Sequence, residues 1–338
     1  MTKPIRIAIN GFGRIGRQFL KVALENKSLD IATINDLGDI KNLAYLLEFD
    51  SVYGRYDKEI ATGNNELIVD GKKIKYFKEP NPEKLPWKEL NIDVVVESTG
   101  FFTSYEKAKA HLDAGAKRVV LSAPAKDKNE TVTATPNVNI AAMEKSKITS
   151  NASCTTNAIT PIASIMSKNP GIKYSLLNTI HGYTSTQNIV DGPHKDFRRG
   201  RTAGLNIIPT STGAAIATAK AMPEMRGKFD GVAMRVPIAT GSILDFTFIA
   251  EKETSVKKIN DILFQEAQKD EWKDILEVTD KPLVSSDIIK NKHGAIVDTA
   301  LTRVVGGTLV KIMVWYDNEW GYANMLLKHI LSLKSFLK

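Results

Sequence analysis

Three glycines spaced as Gly11-x-Gly13-x-x-Gly16 stand between the β-branched run Ile5–Asn10 and a stretch with helical spacing of apolar residues. Glycines at this spacing permit a tight strand-to-helix turn in which the backbone comes close to a pyrophosphate at the helix N-terminus. Asp36 lies 20 residues beyond Gly16, after the next apolar run, where a carboxylate can accept hydrogen bonds from a ribose 2′-hydroxyl. This arrangement predicts a dinucleotide site and favours NAD over NADP.

The first part of the chain alternates short apolar runs with helical patterns. Further runs cover 31–34, 94–97 and 119–121, with a helical stretch between the last two. Strands that alternate with helices form a parallel sheet covered on both faces. The dipeptide Asp70-Gly71 between two apolar runs predicts a β-hairpin at this sheet. We therefore expect an α/β, doubly wound Rossmann domain over residues 1–151.

Beyond Cys154 the apolar runs become longer and are joined less regularly. This pattern of longer, less regularly joined apolar runs predicts an α+β catalytic domain with a largely antiparallel sheet over residues 152–317. Apolar residues near helical spacing in the last stretch predict an amphipathic C-terminal helix over 318–338 that packs on the body and completes the first domain. A length of 338 residues suits two domains.

Composition narrows the function classes. Lys and Arg number 46 against 38 Asp and Glu, a net charge of +8 that favours anionic ligands, but the basic residues are dispersed, so we expect no dedicated nucleic-acid partner. No apolar run approaches the roughly 20 residues that span a bilayer. The N-terminus enters a strand pattern directly, without the sections of a secretory signal. We therefore expect a cytoplasmic protein with no membrane association.

Cys154 is the only cysteine, so the chain can form no intrachain disulfide and lacks the ligands of a cysteine-based metal site. It lies in the polar segment Ser150–Asn157, directly before a helix-like run. A helix N-terminus stabilises a thiolate, and its free N–H groups with the hydroxyls of Ser153 and Thr155 suit an oxyanion or a phosphate. The alternative is a small buried apolar residue, the usual role of a lone cysteine.

His181 is the histidine best placed to assist this thiol. It ends the run 174–180 and opens a polar segment, and loops at strand ends commonly carry catalytic groups. A neutral imidazole beside Cys154 could take the thiol proton and act as a general base, while a purely structural histidine is the alternative. The other histidines have no visible partner in the sequence, and we expect all of them at the surface: His111, His194, His293 and His329.

Basic and hydroxyl residues recur further along the chain. Arg198 opens a basic run, Thr212 and Gly213 precede a helical pattern, and Arg235 lies within a strand-like run. A helix start can bind a phosphate through its backbone N–H groups, and guanidinium groups bind phosphate in a bidentate manner. Each signal alone has an ordinary structural explanation. Together with a nucleotide fold and an activated thiol, they indicate a phosphorylated substrate.

Four segments together resemble one enzyme family. They are Ala8–Arg17, Ser150–Asn157, Asn206–Ala215 and Trp315–Tyr322, and the likeness extends over essentially the whole chain. The chain resembles the phosphorylating glyceraldehyde-3-phosphate dehydrogenases. The resemblance implies a homotetrameric glycolytic enzyme that oxidises glyceraldehyde 3-phosphate with NAD and inorganic phosphate to 1,3-bisphosphoglycerate.

The resemblance also implies roles for individual residues. Cys154 matches the nucleophile, which forms a hemithioacetal and then a thioester, and His181 matches the base that activates it. Matches to residues that bind the substrate or phosphate are Ser153, Thr155, Thr184, Thr212, Gly213 and Arg235, with Arg198 in the same anion pocket. Matches to cofactor contacts are Gly11, Gly13, Arg14, Ile15, Gly16, Asp36, Ser122 and Asn318, and Pro80 stands where relatives place a backbone contact to the adenine.

Other functions remain open on the sequence alone. A related dehydrogenase that acts on erythrose 4-phosphate shares the cysteine motif, although segment 209–213 is more similar to the glyceraldehyde enzyme. Gly192 lies where relatives help to exclude a 2′-phosphate, so an NADP-preferring form is a second alternative. A non-enzymatic alternative is a protein that uses its positive charge to bind nucleic acid or a cell surface.

Overall fold

The computed structural model describes residues 3–127 and 130–337, and the chain clusters into two compact units. The first unit comprises 1–134, 140–152 and 326–338, and the second comprises 135–139 and 153–325. The segment 135–139, which the sequence places in the first domain, groups with the second unit for two reasons. Val138 packs against the second unit's apolar core, and the Asn137 side chain donates a hydrogen bond to the backbone oxygen of Glu271.

Helices and strands have the following bounds in the described residues. The α-helices are α1 (Arg14–Leu24), α2 (Ile40–Glu48), α3 (Tyr105–Asp113), α4 (Cys154–Lys168), α5 (Ala214–Ala221), α6 (Val256–Ala267) and α7 (Trp320–Ser332). Short 3-10 turns cover Pro82–Lys84, Ile140–Lys145, Pro223–Met225, Ser285–Ile288 and Leu333–Phe336. Strands of the first unit are β1 (Ile5–Asn10), β2 (Leu29–Asn35), β3 (Phe49–Asp50), β4 (Gly54–Arg55), β5 (Ile60–Gly63), β6 (Glu66–Val69), β7 (Lys72–Phe77), β8 (Val94–Glu97), β9 (Arg118–Leu121), β10 (Val132–Thr133) and β11 (Ile148–Ser150). Strands of the second unit are β12 (Ile172–Gly182), β13 (Ile208–Ser211), β14 (Phe229–Val236), β15 (Ser242–Ala250), β16 (Leu276–Thr279), β17 (Ala295–Val305) and β18 (Leu309–Tyr316).

The first unit contains a nine-stranded sheet in the order β10-β11-β9-β8-β1-β2-β7-β6-β5. Neighbouring strands are parallel from β10 to β7, and β7, β6 and β5 are antiparallel to one another. The predicted hairpin joins β6 to β7 through Asp70 and Gly71, whose φ angles are +47° and +75°. The doubly wound Rossmann architecture is thereby confirmed.

Side-chain alternation along β1 explains why this sheet is covered on both faces. Ile7 and Ile9 lie in one buried cluster with Phe19 of α1, whereas Ala8 lies in another with Trp87. Successive residues of a strand point to opposite faces, so each face receives its own apolar layer. The carboxyl ends of the parallel strands meet at one edge, and the loops after β1, β2, β8 and β9 therefore lie there.

The second unit contains a seven-stranded sheet in the order β13-β14-β12-β15-β18-β17-β16. The pairs β13–β14, β12–β15, β15–β18 and β17–β18 are antiparallel, and β12–β14 and β16–β17 are parallel. This confirms the largely antiparallel sheet predicted for the catalytic part. Ile159, Ile162 and Met166 of α4 are buried in the unit's core. Their burial anchors α4, so its first residue, Cys154, has a defined position.

The C-terminal helix α7 begins at Trp320, whereas the prediction placed its start at residue 318. The carboxylate of Asp317 explains the difference, because its Oδ1 accepts hydrogen bonds from the backbone N of Glu319 and of Trp320 at 2.9 and 2.8 Å. A carboxylate in this position caps a helix. Three apolar residues of the C-terminal segment are fully buried in the core of the first unit: Leu326, Ile330 and Leu333.

Candidate active site

The turn after β1 and the first turn of α1 have room only for glycine at two of the three glycine positions. Gly11 has a φ of +95°, and a Cβ there would lie 2.6 Å from the backbone N of Thr99. A Cβ on Gly16 would lie 2.2 Å from the backbone oxygen of Gly11, but one on Gly13 would meet nothing within 4 Å. The turn is therefore as tight as a pyrophosphate-binding strand-to-helix turn requires.

The carboxylate of Asp36 lies directly beside this turn. Its Oδ2 accepts a hydrogen bond from Phe12 N at 2.6 Å, and its Oδ1 accepts one from Gly38 N at 2.8 Å. Both bonds hold the acidic group at the carboxyl edge of the sheet, where it is only partly buried. An acidic group there suits a ribose 2′-hydroxyl and disfavours a 2′-phosphate. The residues present therefore fit NAD.

The remaining candidate cofactor residues of the first unit lie near the same edge. Arg14 and Ile15 form the first turn of α1, and the Arg14 guanidinium is 2.7 Å from the buried carboxylate of Asp50. Ser122 directly follows β9, and Pro80 is exposed in the loop after β7. Because the Arg14 side chain pairs with Asp50, the backbone N–H of Arg14 is the group that suits a phosphate. The resemblance implies the same backbone contact.

The second unit brings Cys154 and His181 together. Cys154 is the first residue of α4, and the side chain of Ser153 caps this helix by accepting a hydrogen bond from Thr156 N at 3.1 Å. The Cys154 Sγ lies 3.3 Å from the Nε2 of His181, the second-last residue of strand β12. The thiol therefore has a base within hydrogen-bond reach and lies at the positive end of the helix dipole.

Arg235 sets the electrostatics of this pair. Strands β12 and β14 place it directly opposite His181, and its NH1 lies 2.7 Å from the His181 Nδ1 and 3.1 Å from the Gly182 oxygen. Burial, together with the Arg235 charge, lowers the pKa of His181 to about 3. The imidazole is therefore neutral near neutral pH and can accept a proton.

Burial raises the pKa of the Cys154 thiol, and the nearby Arg235 charge acts in the opposite direction. The resting pair is thus a neutral thiol beside a neutral imidazole. The His181 Nδ1 lies 2.6 Å from the Gly182 oxygen, which can only accept a hydrogen bond, and 2.7 Å from the Arg235 NH1, which can only donate one, so the two contacts favour opposite tautomers. A proton on Nδ1 leaves the Nε2 lone pair facing Sγ. In this tautomer His181 can act as a general base toward Cys154.

Two of the residues around the predicted anion site carry a buried polar atom without a hydrogen-bond partner. Within residues 3–127 and 130–337, the Arg235 Nε and the Thr210 Oγ1 are buried without a hydrogen-bond partner. Arg198 lines a cavity of about 380 Å³ together with Thr210 and Ser211. A buried donor without a partner is costly, so a bound anion would stabilise both positions.

Three further predicted anion-binding residues make contacts within their own segments. The Thr212 Oγ1 accepts a hydrogen bond from Ala214 N at 3.2 Å, next to Gly213, the residue that precedes α5. The Thr184 Oγ1 is 2.8 Å from the Thr186 Oγ1 in the loop after β12. These contacts order the two loops, and they place none of the three directly against the thiol.

Two family models match the chain. Residues 5–105 match the NAD binding domain of glyceraldehyde 3-phosphate dehydrogenase, and residues 153–318 match the C-terminal domain of the same enzyme. The chain belongs to the glyceraldehyde-3-phosphate dehydrogenase family. This confirms the predicted family, the enzyme class of NAD-dependent oxidoreductase and NAD as the cofactor.

Curated relatives cover nearly all of this family member. It is 46% identical over 323 residues to glyceraldehyde-3-phosphate dehydrogenase 2 of Streptomyces avermitilis, an alignment that covers 95% of this chain and 96% of the relative. Identity to the glyceraldehyde-3-phosphate dehydrogenase of Mycobacterium leprae is 48% over 330 residues, with 95% and 96% covered. Identity to that of Borreliella burgdorferi is 46% over 325 residues, with 94% and 96% covered.

Tyr316 is a residue of the site to which sequence reasoning assigned no role. Its hydroxyl lies 3.0 Å from the Thr155 Oγ1 and 2.7 Å from the Thr179 Oγ1, and its ring meets the His181 ring edge-on. Burial raises the pKa of this phenol, so it stays neutral. Tyr316 therefore links the α4 start to the strand that carries His181. The signal was present in the segment Trp315–Tyr322, which resembles the dehydrogenase family.

Asn318 has a fixed side-chain orientation in the second unit of this family member. Its Oδ1 accepts hydrogen bonds from the Thr240 and Ser242 hydroxyls at 3.0 and 2.9 Å. Because the oxygen is occupied, the amide NH2 group is the part of the side chain that remains to donate. A donor of this kind suits the oxygen of a carboxamide.

The surface location expected for His111 and His329 is wrong, because both side chains are fully buried. His111 is hydrogen-bonded to Trp87 and Glu97, and His329 to Thr149 and the Ala134 oxygen. Their partners lie far away in sequence, so local context could not reveal them. His194 and His293 are partly exposed.

Residues 3–127 and 130–337 contain neither a metal-binding cluster nor a helix suited to cross a membrane. No cluster of three or more His, Cys, Asp or Glu side chains could hold a metal ion there. No helix in that part of the chain is long and apolar enough to cross a membrane.

Proposed function

We propose that this chain oxidises glyceraldehyde 3-phosphate to 1,3-bisphosphoglycerate with NAD and inorganic phosphate, through a thioester on Cys154. The observation that carries the proposal is the 3.3 Å separation of the Cys154 Sγ and the His181 Nε2, in a chain of this family. A thiol nucleophile conserves the energy of the oxidised acyl group in a bond that phosphate can cleave. Bound NAD supplies the hydride acceptor.

The first chemical step uses the thiol and the imidazole. The His181 Nε2 accepts the thiol proton while the Cys154 sulfur bonds to the aldehyde carbon, and the proton then passes to the aldehyde oxygen to give a hemithioacetal. In the oxidation the same nitrogen accepts the hydroxyl proton as the carbon loses a hydride, which leaves a thioester. The backbone N–H groups at the start of α4 stabilise the developing oxyanion.

The second step releases the product. An oxygen of inorganic phosphate bonds to the thioester carbon, the carbon–sulfur bond breaks, and the sulfur leaves as a thiolate that recovers its proton from His181. Two anions must therefore be held, the substrate phosphate and the attacking phosphate. We assign these roles to the residues with unpaired donors or hydroxyls and to the matches of the family motif: Ser153, Thr155, Thr184, Arg198, Thr212, Gly213 and Arg235.

NAD binding is proposed to use the carboxyl edge of the parallel sheet. The tight turn and the Asp36 carboxylate support this assignment. The residues proposed to hold the cofactor are Gly11, Gly13, Arg14, Ile15, Gly16, Asp36, Pro80, Ser122 and Asn318. Asn318 is proposed to donate to the nicotinamide carboxamide.

The test is the initial rate of reduced-nicotinamide formation with glyceraldehyde 3-phosphate and NAD, with and without inorganic phosphate. NADP and erythrose 4-phosphate replace cofactor and substrate in parallel reactions. We expect rapid turnover only with glyceraldehyde 3-phosphate, NAD and phosphate together. Equal turnover with NADP or erythrose 4-phosphate would favour the corresponding alternative function. The absence of any turnover with the fully reduced protein would refute the proposed activity.

A variant separates the chemistry from cofactor binding. Cys154→Ser keeps the helix start but replaces the nucleophile with a hydroxyl, which cannot form the thioester. We expect it to bind NAD with unchanged affinity, measured by calorimetry, and to lose nearly all turnover. A variant with normal turnover would exclude the thioester mechanism.

We further propose that the protein is a homotetramer located in the cytoplasm. Apolar side chains on one surface of the second unit's sheet are exposed and line a single depression, as at an oligomer interface: Tyr174, Leu176, Ile249 and Leu309. A catalytic thiol must stay reduced, which favours a reducing compartment. Light scattering of the purified protein gives its mass, and fractionation of the source cells gives its location.

A further inference from the structure

A chain of buried polar side chains crosses the carboxyl edge of the parallel sheet in the first unit. Trp87, Glu97 and His111 are 0%, 2% and 0% exposed, and Asn10 and Asn35 are 1% and 5% exposed. Buried polar groups are costly unless they are hydrogen-bonded, so a connected set at this depth requires a reason. None of these five residues belongs to the sites assigned above.

Trp87 determines the direction of the hydrogen bonds that link it through His111 to Glu97. Its indole Nε1 can only donate, and it lies 3.0 Å from the His111 Nδ1, which is therefore the acceptor. The proton of the neutral ring is then on Nε2, which donates to the Glu97 Oε2 at 3.1 Å. The Asn10 Nδ2 donates to the same Oε2 at 2.6 Å.

The other carboxylate oxygen shapes the turn after β8. The Glu97 Oε1 accepts hydrogen bonds from the backbone N and the Oγ1 of Thr99. Thr99 N is the atom that a Cβ on Gly11 would approach to 2.6 Å. Next to it, the Ser98 hydroxyl donates to the Gly11 oxygen at 2.6 Å. Glu97 thus fixes the position of the Ser98–Thr99 backbone against which the glycine turn packs.

The network also reaches the loops after β2 and β7. The Asn10 Oδ1 accepts a hydrogen bond from the Asn35 Nδ2 at 2.7 Å, and the Asn35 Oδ1 accepts one from Glu79 N at 2.9 Å. These three residues each directly precede a residue assigned to NAD binding: Gly11, Asp36 and Pro80. The network therefore joins the starts of three cofactor loops to one buried carboxylate.

We propose that Glu97 and His111 are positioning residues for NAD, which hold these loops in the binding conformation before the cofactor arrives. The proposal rests on the proposed NAD site. Loops that are ordered in advance need not be ordered by the ligand, so affinity is gained without contact. Four donors converge on Glu97, one from Asn10, one from His111 and two from Thr99, and only a carboxylate can accept all of them.

Glu97→Gln removes one acceptor oxygen and places an NH2 group against these donors. Because a buried donor is left unpaired, we expect NAD to bind roughly tenfold more weakly, measured by calorimetry on the substrate-free protein. The kcat at saturating NAD should stay within about twofold, because the residue does not touch the reacting atoms. Glu106→Gln, an exposed residue of α3, is the matched control and should leave the NAD affinity unchanged.

His111 gives a second, independent comparison. His111→Gln can still donate an N–H toward Glu97, whereas His111→Leu cannot, so the glutamine variant should retain more of the NAD affinity. A merely structural role would lower the melting temperature of both variants without this difference in affinity. This pair decides the question if Glu97→Gln does not fold.

Hydrogen exchange gives a readout that does not depend on activity. In the cofactor-free Glu97→Gln protein, the amides of Thr99 and of 11–13 should exchange faster than in the unaltered protein, and the core strand β11 should not. The proposal is overturned if NAD affinity stays within twofold in Glu97→Gln and His111→Leu. Turnover of the unaltered protein with glyceraldehyde 3-phosphate tests the proposed function separately, because NAD binding is measured without substrate.

Discussion

The buried imidazole of His329 should make the protein less stable at mildly acidic pH. Its Nε2 lies 2.8 Å from the Thr149 Oγ1, and its Nδ1 lies 3.2 Å from the Ala134 oxygen, both within the first unit. The carbonyl can only accept, so Nδ1 donates and Nε2 accepts from the hydroxyl. Burial lowers the pKa of His329 from 6.5 to about 4.

The size of the effect follows from this difference in pKa. Below about pH 6.5 the unfolded chain binds a proton that the native state excludes, so stability is complete above that pH and falls as the pH approaches 4. The slope is about 1.4 kcal/mol per pH unit. The free energy of unfolding should therefore fall by about 2 kcal/mol between pH 6.5 and pH 5, and by about 3 kcal/mol at pH 4.

A His329→Leu variant isolates this contribution from that of other groups, including His181, whose pKa is also lowered. Urea unfolding is followed by circular dichroism from about pH 7.5 to about pH 5 at one protein concentration, since oligomers make stability concentration-dependent. At the higher pH the variant should be less stable by about 1–3 kcal/mol, because two hydrogen bonds are lost. This deficit should shrink by about 2 kcal/mol on acidification.

The partly exposed His194 provides a control for the assay. His194→Gln, which removes a histidine that contacts Asp196 in its own loop, should lose stability on acidification as the unaltered protein does, because His329 is intact. If the deficit of His329→Leu is the same at every pH, then His329 does not titrate as a buried neutral imidazole, and the reasoning is refuted.

Three further outcomes are expected at the site. Gly16→Ala should abolish NAD binding in calorimetry, because its Cβ would lie 2.2 Å from the Gly11 oxygen; an unchanged affinity would contradict the steric argument. Arg235→Gln should raise the KM for glyceraldehyde 3-phosphate at least roughly tenfold. It should also move the acidic limb of the pH–rate profile to higher pH, because the Arg235 charge lowers the pKa of His181. An unmoved limb would exclude this effect of Arg235 on His181. Tyr316→Phe should lower kcat roughly fivefold through the loss of two hydroxyl contacts, without changing the KM for NAD; an unchanged kcat would limit Tyr316 to packing.

The local sequence pattern was sufficient to predict the strand and helix that flank the glycine turn. The run Ile5–Asn10 became β1 at those bounds, Gly11 and Gly13 lie in the turn before α1, and Gly16 lies in the first turn of α1. Both depend on properties of neighbouring residues, namely β-branched side chains and glycine's access to positive φ. The hairpin at Asp70-Gly71 was predictable for the same reason.

The motif around Cys154 was also predictable, but the positions of His181 and Arg235 relative to Cys154 were not. A cysteine at a helix start is visible in the sequence, whereas the 3.3 Å contact to His181 depends on how α4 packs against the sheet. The position of Arg235 opposite His181 depends on the register between β12 and β14. Register is decided by pairing over whole strands, so no local window contains it.

By itself, the sequence determined the fold class, the glycine turn after β1 and the position of the lone cysteine at a helix start, because each depends on residue types at short spacing. Only the tertiary structure decided which histidines are buried and which buried donors face Glu97. Trp87 and His111 are 24 residues apart, and Asn10 and Glu97 are 87 residues apart. A polar residue is stable in a core only when its partner is in place, and that partner is supplied by the packing of distant segments.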